Sequence, residues 1–104
     1  MSRNDWYTLD KDKNPVPLDF DKILNNPELR MSNSACRVAF NSVGEVRIST
    51  VFLQLDHQWG EGPPLVFETM IFGGKHDQYQ ERFHTWTEAE EGHKKALLLV
   101  EESK

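Results

Sequence analysis

Between Ile48 and Gly74 this chain has not one lysine or arginine, and over its whole length it has one cysteine. No run of apolar residues is long enough to cross a bilayer, so no membrane span is expected. With no second cysteine, Cys36 cannot close an intrachain disulfide. Its neighbours alternate as in a strand, which predicts a buried structural thiol and not a nucleophile. The four histidines, His57, His76, His84 and His93, show none of the spacings that pre-align zinc ligands, and no cofactor or metal is expected. The Gly73-Gly74 pair is not followed by the Lys-Ser/Thr pattern and helix of a phosphate loop, and reads as hairpin punctuation. No Lys/Arg cluster supplies an electrostatic footprint for phosphates, so direct nucleic-acid binding is not expected. An apolar leader and a lipidation pattern are also lacking, which points to the cytoplasm.

What remains is enough for one small folded domain over residues 1–104. The hydrophobic fraction is 38%, with 6 Phe, 3 Trp and 2 Tyr among 104 residues. That is too apolar for a disordered chain, and at this length folding buries roughly two thirds of the unfolded surface. Acidic residues number 17 against 12 basic, a net charge of -5. Asp56, Glu61 and Glu68 all fall inside the base-free interval, so that surface is expected to carry negative potential and to attract a basic partner.

The pattern predicts an α+β fold, an antiparallel sheet of four to five strands packed against a C-terminal amphipathic helix, with a short N-terminal helix. "DWYTLD" reads as a short strand and "KDKNPVP" as a Pro-broken loop. In "LDFDKILNNPEL", Phe20, Ile23 and Leu24 have helical spacing, with Asp19 as N-cap and Pro27 near the end. "CRVAFNSV" alternates, with Cys36, Val38 and Phe40 on one side, and Val43-Gly44 turns the chain into "EVRISTVFLQLDH". There Val46, Ile48, Thr50 and Phe52 share one face. "LVFETMIF" and "ERFHTW" supply further strands. Thr85 with Glu88 makes a capping box, and Trp86, Ala89, His93, Ala96, Leu97 and Val100 then recur at three- and four-residue steps. His93 on that stripe is expected to be a partly buried histidine bonded to the sheet or a loop.

The stretch "LDHQWGEGPPLVFET" gathers Asp56, His57, Glu61 and Glu68 around a Gly/Pro turn. As a metal or acid/base centre it needs Asp56 and His57 to act together, yet on a strand they point to opposite faces. No Ser, Thr or Cys motif supplies a nucleophile beside them, so an enzyme is not expected. As a binding surface it needs only its negative charge and Trp59 as an aromatic anchor. Partner-binding residues are therefore expected at Asp56, Trp59, Glu61 and Glu68.

The segments "STVFLQLDHQWGEGPPLVFETMIFGG" and "RFHTWTEAEEGHK" together resemble a widespread family of small uncharacterised proteins of bacteriophages and prophages. Its pattern reads TVFLG-DH, then GPP-LFETM-FGG, then RY-TW-EA--GH. The chain departs from it at Gln54, where the family usually has Gly, and at Phe83, where Tyr is usual. The resemblance implies a phage origin and the host cytoplasm as the place of action, but brings no established activity. Three functions stay open on these grounds. One is an accessory protein that binds and inhibits or modulates a host protein or nucleoprotein complex, in an anti-defence role such as anti-CRISPR inhibition. Another is a small metal-binding protein or enzyme centred on Asp56, His57 and Glu68. The third is a structural or housekeeping phage protein forming a homodimer through a sheet edge.

Overall fold

The computed structural model describes residues 6–26, 36–55 and 62–102. The chain is α+β, with a two-stranded and a four-stranded antiparallel sheet and a C-terminal helix. Strands β1 (Trp6–Leu9) and β2 (Pro15–Leu18) form a hairpin. The remaining strands, β3 (Arg37–Val43), β4 (Val46–Phe52), β5 (Phe67–Phe72) and β6 (Gln80–Phe83), pair in sequence order.

The loop expected over "KDKNPVP" is therefore only half loop. Asp10 folds the turn: its Oδ1 accepts from the amides of Asp12 and Asn14, both at 2.9 Å, and Lys13 takes a φ of 68°. Pro15 and Pro17 then lie in β2, opposite Leu9 and Tyr7. A strand of a two-stranded hairpin has a free edge, and the period of two turns both missing N–H groups to the same side. After β2, Phe20–Asn25 form a six-residue helix, α1, whose start is capped by Asp19 Oδ1 accepting from the amide of Asp21 at 3.1 Å. Leu24 is exposed on it, and Pro27 lies outside the described residues.

Helix α2 (Trp86–Glu102) crosses one face of the larger sheet and touches all four of its strands. The amide of Glu88 donates to Thr85 Oγ1 at 3.1 Å, as a capping box requires, while Glu88 Oε1 accepts from the amide of His84. Inside the helix, Gly92 lets the Phe83 ring lie directly on the backbone.

The core between helix and sheet has two apolar clusters. One joins Phe52, Val66, Phe67, Phe83 and Ala89, with Tyr7 and Leu9 of the hairpin and Trp86 packed against it. Phe67 meets Phe52 at 5.3 Å and the edge of Trp86 at 6.2 Å between ring centres. The other joins Ile48, Ile71, Ala96 and Val100. Between them a polar layer crosses the core. Thr50 Oγ1 lies 2.5 Å from Thr69 Oγ1 and 2.7 Å from His93 Nδ1, and His93 Nε2 lies 2.8 Å from Asn41 Oδ1.

Alternation alone misplaces Phe40. The register shifts between Arg37 and Ala39, so that Val38 forms a bulge. Cys36 and Val38 pack against the core, whereas Phe40 pairs with Ser49 on the opposite face and is 41% exposed under the Arg37 guanidinium.

Candidate functional site

The chain leaves the larger sheet at the end of β4. There Leu53 donates to Val66 carbonyl at 2.6 Å, prolonging the β4–β5 ladder beyond its last paired strand residues, and Leu55 bridges Trp6 of the hairpin. Gln54 lies between these anchors at a φ of 45°, spanned by a bond from Leu55 N to Leu53 carbonyl. A left-handed backbone favours glycine, so a side chain at this position carries a conformational cost. The glutamine is held instead by contacts with Tyr7: its carbonyl accepts from Tyr7 N at 2.6 Å and its Nε2 donates to Tyr7 carbonyl at 3.3 Å. The chain is described again from Gly62, with a φ of 127°, through Pro63 and Pro64 to β5.

Of the residues expected to bind a partner, Asp56, Trp59 and Glu61 lie outside the described residues, as does His57. Glu68 is described, in β5 opposite Arg82 of β6. Only 9% of its surface is exposed. Its Oε2 accepts from Arg82 Nε at 3.0 Å and also from Gln80 Nε2. Its charge is thus answered within the sheet, and the acidic potential expected here rests on Asp56 and Glu61.

The sheet face that carries Glu68 is the one α2 does not cover. Register sets it out in three cross-strand rows: Arg37, Val51, Glu68 and Arg82; then Phe40, Ser49, Met70 and Gln80; then Ser42, Arg47 and Phe72.

Several other titratable groups are buried or hydrogen-bonded within the fold. His93 is 4% exposed, and burial holds its pKa below the ordinary imidazole value. With Nε2 facing the Asn41 carbonyl oxygen as donor, Nδ1 is the acceptor for the Thr50 hydroxyl, and Thr69 donates in turn to Thr50. A hydroxyl–imidazole–amide chain has the parts of a nucleophilic triad, but Thr50 and Thr69 are fully buried, so no substrate reaches the hydroxyls. His84 Nδ1 meets Pro64 carbonyl at 3.1 Å. Tyr79 donates to Glu81 Oε2 at 2.6 Å, and burial together with that carboxylate pushes its pKa up to about 12. Cys36 is half-buried, and burial raises its pKa, which keeps the thiol protonated and a poor nucleophile. Among the described residues no three His, Cys, Asp or Glu side chains are grouped to hold a metal ion. A cleft of about 750 Å³ runs between β6 and the outer side of α2, floored by Phe83 and Gly92 and walled by Glu91, Lys95 and Leu98. No described helix is long and apolar enough to cross a membrane.

The Thr50–His93–Asn41 chain was only partly visible in the sequence. Thr50 in an otherwise apolar strand face, with Ile48 and Phe52, signals a buried hydroxyl that needs a partner. Nothing local names His93, 43 positions away, as that partner. The pairing of Glu68 with Arg82 depends in the same way on strand register.

Compared with protein-family models, curated proteins and solved structures, the chain finds no match in any of the three.

Proposed function

We propose that the protein is a phage-encoded accessory protein that binds a basic surface of a host protein or nucleoprotein complex and inhibits or redirects it, with suppression of a defence system such as CRISPR immunity as the sharpest form. The observation that carries this reading is the run from Ile48 to Gly74 without a lysine or arginine, which holds Asp56, Trp59 and Glu61. The sheet supports it by fixing both ends of the segment: Leu55 is bridged to Trp6, and Leu53 is bonded to Val66. Anchored ends lower the ordering entropy that a binding segment gives up. Trp59 is the interface anchor, and Asp56 and Glu61 steer a basic partner toward it.

The engagement of His93, His84, Glu81 and Glu88 in structural hydrogen bonds supports a binding and not a catalytic role. The bonds from Arg82 and Gln80 to Glu68 weigh against its use as an acid, base or metal ligand beside Asp56 and His57. The test is capture from host lysate with tagged wild type and tagged Trp59→Ala in parallel, read by mass spectrometry. The reading expects a host protein with a basic surface, enriched on the wild type and lost on the variant. Equal capture by both removes Trp59 and its segment from the binding face.

A further inference from the structure

The face of the four-stranded sheet that α2 does not cover differs in charge from the chain as a whole. Among the described residues, Arg37, Arg47 and Arg82 stand on it against one carboxylate, that of Glu68, in a protein whose net charge is -5. Composition therefore conceals a locally basic surface. Two phenylalanines are exposed on the same face, Phe40 at 41% and Phe72 at 37%. Arg37 lies over the Phe40 ring, 4.9 Å from its centre, and presents a flat guanidinium to solvent. Phe72 is two strands over and two residues along from Phe40, which sets the two aromatic stations about 12 Å apart by strand geometry. Ser42, Ser49 and Gln80 occupy the positions between and beside them.

We propose that this face is a docking surface for single-stranded RNA. Exposed rings and a guanidinium plane on a four-stranded antiparallel sheet are surfaces on which unstacked bases stack, and neighbouring arginines neutralise the backbone phosphates. The serine hydroxyls and the Gln80 carbonyl oxygen provide partners for a 2′-hydroxyl, which distinguishes RNA from DNA. A second copy of the chain is a poorer occupant, because a face-to-face dimer brings a second set of three arginines onto the first. An acidic peptide satisfies the arginines but makes no use of two exposed rings. The proposal stands apart from the acidic-segment reading, since it involves neither Asp56, Trp59 nor Glu61.

The test is fluorescence anisotropy of a short labelled oligouridylate titrated with the intact protein at two salt concentrations. With Arg82 paired to Glu68, two phosphate contacts from Arg37 and Arg47 predict binding about sevenfold weaker at about 200 mM than at about 50 mM salt. Phe72→Ala is expected to weaken binding about tenfold or more, and Phe72→Tyr to restore it. Arg47→Ala is expected to lower the slope of log affinity against log salt by about 0.7. Circular dichroism checks the fold of each variant, and substitution of the exposed Arg47 still tests the surface if Phe72→Ala unfolds. Absence of binding at high micromolar protein overturns the proposal, as does binding that neither Phe72→Ala nor Arg47→Ala changes. Equal affinity for oligothymidylate overturns the assignment to RNA, and equally effective competition by polyglutamate shows an unspecific basic patch.

Discussion

A methyl group added at Gly92 has two opposed effects, and the structure decides between them. In an exposed helix, Gly→Ala stabilises by about 0.5–1 kcal/mol, because alanine loses less backbone entropy on folding. At Gly92 the new Cβ is built into the Phe83 ring, 2.6 Å from Cε1 and 2.8 Å from Cε2, with Cζ inside contact distance as well. Those atoms belong to a rigid ring wedged in the core beside Phe67 and Ala89, not to the free end of a flexible chain. Either the ring or the helix must shift, and overpacking of this kind costs about 1–3 kcal/mol. The clash outweighs the propensity gain, so Gly92→Ala is expected to lower stability by about 1–2 kcal/mol net. For a domain of this size that lowers Tm by about 4–16 °C. The assay is urea and thermal unfolding of wild type, Gly92→Ala, Phe83→Ala and the double variant. In the Phe83→Ala background the clash is gone, so the same Gly92→Ala change should become neutral or stabilising. A Gly92→Ala protein that is more stable than wild type by about 0.5 kcal/mol would refute the packing of Phe83 on the helix backbone.

Other expectations follow from the core and the sheet. Burial keeps His93 neutral in the folded chain, with a pKa below the ordinary value of 6.5, so the unfolded chain binds a proton that the folded one refuses. Its contribution to stability is complete above about pH 6.5 and declines as pH falls through the window between the unfolded and folded values, by up to about 1.4 kcal/mol per pH unit. Unfolding measured across that window in wild type and His93→Gln isolates the histidine, because the difference between the two curves should narrow on acidification. Gln54→Gly should be more stable than Gln54→Ala by about 1 kcal/mol, since both lose the side-chain bond to Tyr7 and only alanine retains the left-handed penalty; equal stabilities would contradict the φ of 45°. Arg82→Met leaves the Glu68 carboxylate bonded to Gln80 without a counter-ion and should cost about 1–2 kcal/mol in a urea titration, a value moderated because the Arg82 side chain is 37% exposed.

How far the fold was legible depends on whether local signals sufficed. The C-terminal helix announced itself, since Thr85, Glu88 and the stripe from Trp86 to Val100 are all within one segment, and its cap and buried residues follow that pattern. Strand β4 was equally plain, because Val46, Ile48, Thr50 and Phe52 alternate without interruption. Phe40 was misplaced because a one-residue bulge reverses the side to which every later residue of the strand points, and "CRVAFNSV" contains no glycine or proline to mark it. Pro15 and Pro17 argued against a strand, a rule that holds for the middle of a sheet and fails on an edge, where β2 has no second partner among the described residues. At the candidate site, the acidic composition was readable but charge pairing was not. Glu68 meets Arg82 only through the β5–β6 register, and the separation of three arginines onto one sheet face arises only when β3, β4 and β6 are brought together.

The central claim, that Asp56 and Glu61 draw a basic host partner onto Trp59, is tested most directly by the salt dependence of association with the captured partner. Wild type and the Asp56→Lys, Glu61→Lys double variant are compared at about 50 and about 200 mM salt by surface plasmon resonance, Glu68 being left intact because Arg82 already answers its charge. The account predicts fast, salt-sensitive association of the wild type. In the variant, association should be slower by about tenfold or more, with little salt dependence and a smaller change in dissociation. A folded double variant with unchanged association rate and unchanged salt sensitivity would contradict it.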